Sequence, residues 1–167
     1  MVLPSGQPMD LFFYGTLMDV DVRRLVLGAS AERLRLEPAR LHGYRRMAKD
    51  RSTAPLLVPG PGMWVEGLLA RGLDRPQVAR LCHFEGRTYR LAPCALRLDG
   101  RQQAAAFVFL GAARLPRARR AWRLAPWQRR HKRAFLRLMG LWMAAYREAA
   151  YLARGRTAGI KRWAMRE

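Results

Sequence analysis

The residue best suited to acid–base chemistry is Glu85, which stands between Phe84 and Gly86 where a helical pattern gives way to a strand pattern. Such a junction can turn a side chain inward to a cleft. A carboxylate against apolar surface has its charged form disfavoured and its pKa raised, which suits a general base or acid near neutral pH. The same residues also describe a plain Glu at a solvent-exposed helix end. A second candidate is Phe12-Phe13-Tyr14-Gly15-Thr16-Leu17, an apolar run that ends abruptly at Gly-Thr. Glycine lets the backbone turn sharply there, and successive N–H groups in a tight turn form a concavity for a carboxylate or a developing oxyanion. A strand followed by glycine is an ordinary turn as well.

Other chemistries have less to stand on. The serines are Ser5, Ser30 and Ser52, none of them in a Gly-x-Ser-x-Gly elbow. Gly60-Pro61-Gly62 lacks the remaining spacing and the following helix of a dinucleotide loop, and there is no Gly-Lys-Ser/Thr phosphate loop. His42, His83 and His131 are scattered, and Cys82 and His83 are adjacent rather than at a chelating interval, which argues against a metal site. Cys82 has no evident base partner. Both cysteines, Cys82 and Cys94, read as small core residues in a reducing compartment.

The elements that must position Glu85 and the Tyr14–Leu17 segment are short. Leu11 to Tyr14 reads as a first strand, and Asp19 as the N-cap of a helix that runs to Leu27 and stops at Gly28. A second strand lies within Leu34 to Tyr44, where Pro38 argues for an edge or a bend. Met47 to Thr53 is polar and reads as a loop. Ala54 to Pro59 and Met63 to Ala70 read as a hairpin about the wide turn Gly60-Pro61-Gly62. Asp74 caps the next helix with Pro76 in its first turn, and Val78, Leu81 and Cys82 fall on its core face, leaving Glu85 just past its end. Tyr89 to Leu98 and Ala104 to Leu110 form a hairpin about Asp99-Gly100. Five or six short strands with two short helices predict an α+β fold built on a small mixed or barrel-like sheet.

Beyond Gly111 the character changes. Residues 112–126, with Pro116 and an Arg-rich stretch, read as a connector. A C-terminal amphipathic helix is expected over 127–153, with Trp127, Phe135, Leu138, Trp142 and Tyr146 on an apolar stripe and Arg129, Arg133 and Arg137 on a basic one. Residues 1–8 and the basic tail 154–167 are expected to be frayed, leaving 9–111 as the principal domain.

The chain carries a formal charge of +20, divided as +6 over residues 1–110 and +14 over residues 111–167. The lysines are Lys49, Lys132 and Lys161, and the other 29 basic residues are arginines alongside abundant alanine, a compositional bias that does not require selection for phosphate binding. General solvated charge is the favoured reading; nucleic acid, an acidic protein or an anionic membrane surface remain partners that the C-terminal segment could dock. Half of the residues are hydrophobic and the length suits one domain with a real core. The most apolar stretch, 134–153, carries Arg137, Arg147 and Glu148, and so does not read as a membrane span. Met1 to Asp10, interrupted by Pro4 and Pro8, does not read as a secretory leader, so a cytoplasmic location is expected. Trp122, Trp142 and Trp163 are candidates for a homodimer contact.

Two of these segments, taken in order, resemble the γ-glutamylcyclotransferase-like family, also called AIG2-like. Tyr14-Gly15-Thr16-Leu17 looks like the family's Tyr-Gly-Ser/Thr-Leu signature, and Glu85 with Tyr89 and Arg90 looks like its Glu-x-x-x-Tyr-x-Arg region, although Arg90 follows Tyr89 directly. The Leu41–Tyr44, Pro55–Pro59 and Trp64-Val65-Glu66-Gly67-Leu68 segments resemble the intervening strands, and Trp122 to Phe135 resembles an appendage of some bacterial members. The resemblance implies a small mixed β-barrel with flanking helices. It implies cyclisation of a γ-glutamyl substrate to 5-oxoproline with release of the amine portion, without metal or organic cofactor. Carried over by position, Glu85 would be the general acid/base, Gly15, Thr16 and Leu17 would offer backbone N–H groups, and Tyr14 and Tyr89 would line the pocket and offer hydroxyls. A binding module of the same fold, without catalysis, is the alternative.

Overall fold

The computed structural model describes residues 7–99, 102–112 and 115–146. Its architecture follows from one buried strand and one close approach. In β1 (Met9–Phe13) every side chain but that of Asp10 is buried, so apolar layers must cover both faces of the strand. β1 runs antiparallel to β3 (Pro55–Leu73), with Leu11 opposite Ala70 and Phe13 opposite Leu68, and parallel to β5 (Gln103–Gly111), with Phe12 opposite Val108. The approach of β1 to β3 depends on Gly67. A Cβ there would lie 2.3 Å from the Phe13 carbonyl oxygen and 2.6 Å from Phe12 Cζ.

β5 pairs antiparallel with β4 (Tyr89–Arg97), β4 meets β2 (Arg35–Lys49) at Arg40 and Leu41, and β2 returns antiparallel to β3. The order β3-β1-β5-β4-β2, with β2 paired back to β3, closes a five-stranded mixed barrel. This is the α+β, barrel-like architecture expected from the strand and turn pattern. Phe12, Leu41, Leu57, Val65, Leu69 and Val108 fill the interior. Leu11, Phe13 and Phe109 instead join the layer beneath the helices, with Val22, Val26, Leu81 and Phe84. Alternation of side chains along β1 thus feeds two cores.

The capped helices form as read. In α1 (Val20–Leu27) the Asp19 carboxylate accepts from the Asp21 and Val22 N–H groups. In α2 (Arg75–Glu85) Asp74 and Gln77 make a reciprocal capping box, Pro76 sits in the first turn and Gly86 closes the end with φ +69°. Glu85 is the last residue of α2 rather than the first beyond it.

Elsewhere the structure corrects the reading. Met47 to Lys49 continue β2, so the polar loop begins only at Asp50. Gly60-Pro61-Gly62 is not a hairpin turn: β3 passes through it without reversing, and the pairing with β2 slips between His42 and Tyr44. Gly43 and Gly62, at φ +81° and +74°, take the backbone through this bulge. The hairpin turn is instead the polar segment 50–54. The sheet order makes β2 central, yet at Pro38 it bonds only to β3, which is why proline is tolerated there.

The expected connector contains a sixth strand, β6 (Arg117–Ala121), paired with the end of β2 at Met47 and Lys49. A strand edge is made by backbone groups and accepts arginine side chains readily, so no hydrophobic alternation announced it. The expected single helix is two, α3 (Leu124–Arg130) and α4 (Lys132–Ala144), separated at His131. Its core-facing stripe runs through the partly buried Phe135, Leu136 and Met139 to the buried Met143, with Tyr146 buried just beyond the helix, while Leu138 and Trp142, expected inside, are 62 % and 45 % exposed. Two adjacent apolar stripes were available, and the side that meets Phe84 and Trp127 took the core. The continuation to 153, the tail 154–167, Gly100 of the expected turn and residues 1–6 lie outside the described residues. Among the described residues no helix is long and apolar enough to cross a membrane.

Candidate active site

The segment after β1 is built to turn. Gly15 has φ −125° and ψ −137°, and Thr16–Met18 then form one 3-10 turn, closed by Met18 N–H to the Gly15 carbonyl at 3.0 Å and Asp19 N–H to the Thr16 carbonyl at 3.0 Å. The opening N–H groups of such a turn have no partner within it. Thr16 and Leu17 are buried. Arg46 of β2 fixes the start of the segment: its Nη1 donates to the Tyr14 carbonyl at 2.7 Å and to the Glu66 carbonyl at 3.2 Å, and its guanidinium lies 5.2 Å from the Trp122 ring centroid.

A cleft opens beside this turn. Tyr14, Gly15, Thr16 and Leu17 form one side, Glu85 and Tyr89 another, and Ala54 and Pro55 a third. All six residues singled out from the sequence therefore line one cleft, although 70 positions of chain separate Gly15 from Glu85. Arg90 is exposed and lies outside the lining, because successive residues of β4 face opposite sides.

Glu85 reaches the cleft from the end of α2, whose buried face, Val78, Leu81 and Phe84, holds the helix against the barrel. Burial pushes its carboxyl up to about 8, against the charge of Lys49, which pulls it down. Among the described residues no hydrogen bond reaches that carboxylate, so little besides Lys49 offsets the burial. Lys49 Nζ lies 5.7 Å from the centroid of the Tyr89 ring. Burial first, then the Glu85 charge, raises the Tyr89 phenol. Tyr14 is raised by burial, then by Glu85 and Tyr89, with Arg46 opposing.

The tyrosine hydroxyls have structural partners. Tyr14 donates to the Phe109 carbonyl at 2.8 Å, and Tyr89 to the Pro55 carbonyl at 3.0 Å. Their hydrogens tie β5 and β3 to the cleft, which leaves only oxygen lone pairs for a ligand. The histidines stay apart from the cleft. Cys94 is pushed up to about 12 by burial, which leaves it a thiol rather than a nucleophile.

Lys49, Arg46 and Pro55 are the site residues that sequence reasoning missed. Lys49 falls in the polar stretch that reads as a loop, Arg46 is one arginine among many, and Pro55 reads as a strand residue. The rarity of lysine in this chain is the one signal that could have singled out Lys49.

A closed mixed barrel with a Tyr-Gly-Thr-Leu turn facing a half-buried glutamate is the arrangement of this chain, and comparison with known proteins supplies the family. The sequence model described as Gamma-glutamyl cyclotransferase, AIG2-like, matches residues 11–129. The chain belongs to that family. The match extends past the principal domain expected at 9–111, through β6 and most of α3. A protein of Arabidopsis thaliana solved in solution is similar in structure at 23% identity and TM-score 0.59, covering 79% of this chain and 88% of that one. A structure named Gamma-glutamyl cyclotransferase is similar at 13% identity and TM-score 0.56, covering 67% of this chain and 69% of its own. YkqA from Bacillus subtilis is similar at 23% identity and TM-score 0.52, covering 67% of this chain and 43% of that one. At these identities the likeness is one of fold. No curated protein matches the chain in sequence.

Proposed function

We propose that the protein cyclises a γ-glutamyl group to 5-oxoproline, with Glu85 as the general acid/base. The observation that carries this reading is the convergence of Glu85, with its carboxyl near 8, on the cleft walled by Tyr14–Leu17. An α-ammonium titrates near ~8, so the two groups are matched for proton transfer. The ionised Glu85 takes a proton from the substrate ammonium. The freed amine attacks the γ-amide carbonyl of the same molecule, a C–N bond forms, and the tetrahedral oxyanion faces the N–H groups of the Gly15–Leu17 turn. The attacking nitrogen gives up its remaining extra proton to solvent, collapse breaks the original amide C–N bond, and Glu85 returns its proton to the departing nitrogen. The attack is intramolecular, so a cleft that accepts only the folded glutamyl conformer removes several kcal/mol of the barrier, on the order of the entropic advantage of a positioned reaction.

The free space in the cleft is about 30 Å³, room for a water or two. A glutamyl chain needs more, so the cleft has to widen around it. The test is release of 5-oxoproline from γ-glutamyl amino acids, γ-glutamyl amines and glutathione by the wild type and by Glu85→Gln. The expected result is a loss of about 10²–10⁴-fold in the folded variant. Undiminished activity in the variant, or no product from any substrate, overturns the reading.

A further inference from the structure

A second cavity takes part of its lining from the turn that walls the cleft. The cleft takes Ala54 and Pro55, whereas the second cavity, larger at about 110 Å³, takes Ser52 and Thr53 from the same turn. Its remaining walls come from Ala48 of β2, from β6 and α3 with the residues between them, and from His131. Trp122 closes one side and pins the shared segment, its Nε1 donating to the Thr53 carbonyl at 2.8 Å.

The polar lining of this cavity has a single sign. Arg120, Arg123, Arg130 and His131 line it together with Ser52 and Thr53, and no carboxylate does. Among the described residues none of these three arginines takes part in an ion pair. Arg71 shows the contrast, since it is bound by both Glu37 and Asp10. Trp127, another wall residue and only 2 % exposed, buries its indole Nε1–H without an acceptor. Unpaired guanidinium forks about one cavity, with hydroxyl and indole donors in the same walls, are the chemistry that carboxylate and phosphate groups match.

We propose that this cavity is a binding subsite for a small oxyanion, a carboxylate or phosphate group, held by Arg120, Arg123 and Arg130. Its source is either a free phosphate-bearing molecule or, on the cyclotransferase reading, the carboxylate at the far end of the substrate's leaving half. In the second case the subsite selects γ-glutamyl amino acids and peptides over γ-glutamyl amines.

The test uses binding, so that it stands whether or not the protein turns over. The full chain carrying Glu85→Gln is titrated at low ionic strength with inorganic phosphate and, separately, with γ-glutamylglycine, following tryptophan fluorescence and heat. Arg123→Gln/Arg130→Gln in the same background is the test variant. Arg129→Gln/Arg133→Gln, two exposed arginines outside the cavity lining, is the control for general charge. Saturable binding of either probe, weakened at least tenfold in the test variant and unchanged in the control, supports the subsite. Binding of γ-glutamylglycine that requires Arg123 and Arg130 identifies the substrate carboxylate as the source, and binding of phosphate alone identifies a separate phosphate-bearing ligand. Absence of saturable binding, or equal weakening in both variants, overturns the proposal.

Discussion

The ring of Pro55 stands so close to Gly15 that a Cβ at Gly15 would lie 2.7 Å from Pro55 Cγ. With φ −125° Gly15 lies outside the left-handed region, and it is this contact that demands glycine. Because Pro55 both walls the cleft and accepts the Tyr89 hydroxyl bond, any added carbon is transmitted to the opposite wall. Gly15→Ala is expected to lower kcat/KM for 5-oxoproline release at least tenfold, with a stability loss of about 1–3 kcal/mol from overpacking. Kinetics and urea unfolding on the same preparation check this. Wild-type kinetics in a folded variant would show that the Pro55 wall yields freely.

Gly67 poses a harder version of the same problem. The nearest atom to an added Cβ is the Phe13 carbonyl oxygen, at 2.3 Å, and a backbone atom within a paired strand cannot rotate aside. Gly67→Ala is therefore expected to cost about 3 kcal/mol or more and to separate β1 from β3 locally. A lowered urea midpoint with an unchanged slope would fit; a loss under 1 kcal/mol would mean that the barrel relaxes around the methyl.

These two glycines mark how far the sequence could be read. Asp19 and Asp74 announced their helices because capping is local chemistry, settled within three or four residues. The meeting of Glu85 with Tyr14–Leu17 is long-range, and only the family resemblance anticipated it. Periodicity misled where two patterns coexist: Leu138 and Trp142 continue an apolar stripe as regular as the one that was buried. It was silent at β6, which pairs with the end of β2. Gly60-Pro61-Gly62 has the composition of a turn, yet the pairing on either side of it carries the chain straight through. What decides these places is the partner strand, and a single sequence does not display it.

Lys49 sets where the proposed base works. Its charge pulls the Glu85 carboxyl down against burial, which holds it near 8. In Lys49→Met that opposition is gone, so the Glu85 pKa rises further and a smaller fraction is ionised at any pH below it. The acid limb of kcat/KM against pH is expected to move to higher pH. A pH profile from 6 to 10 in wild type and variant measures the displacement. An unmoved limb would separate Lys49 from the titration of the base.

Glu85 also makes stability depend on pH in a direction opposite to most carboxylates. Its folded pKa, near 8, lies above the unfolded value of 4.5, so between these pH values the unfolded chain is ionised while the folded protein holds the proton. Folding then takes up a proton, and stability falls as pH rises, by about 1.4 kcal/mol per unit at full uptake. The decline begins near pH 4.5 and is complete above pH 8. Asp19 works the other way: burial would raise its carboxyl, but hydrogen bonds from Lys132, Gln128 and the backbone hold it low, so its contribution is lost only in acid. Wild type and Glu85→Gln both keep Asp19, so its contribution cancels between them. Glu85→Gln cannot ionise, so its unfolding free energy should be more level between pH 5 and 8, and above pH 8 should exceed that of the wild type. Urea unfolding across pH 4–9 provides the difference curve. Parallel profiles would mean that Glu85 titrates in the folded protein as it does in the unfolded chain, and the matched proton transfer proposed for the cleft would lose its basis.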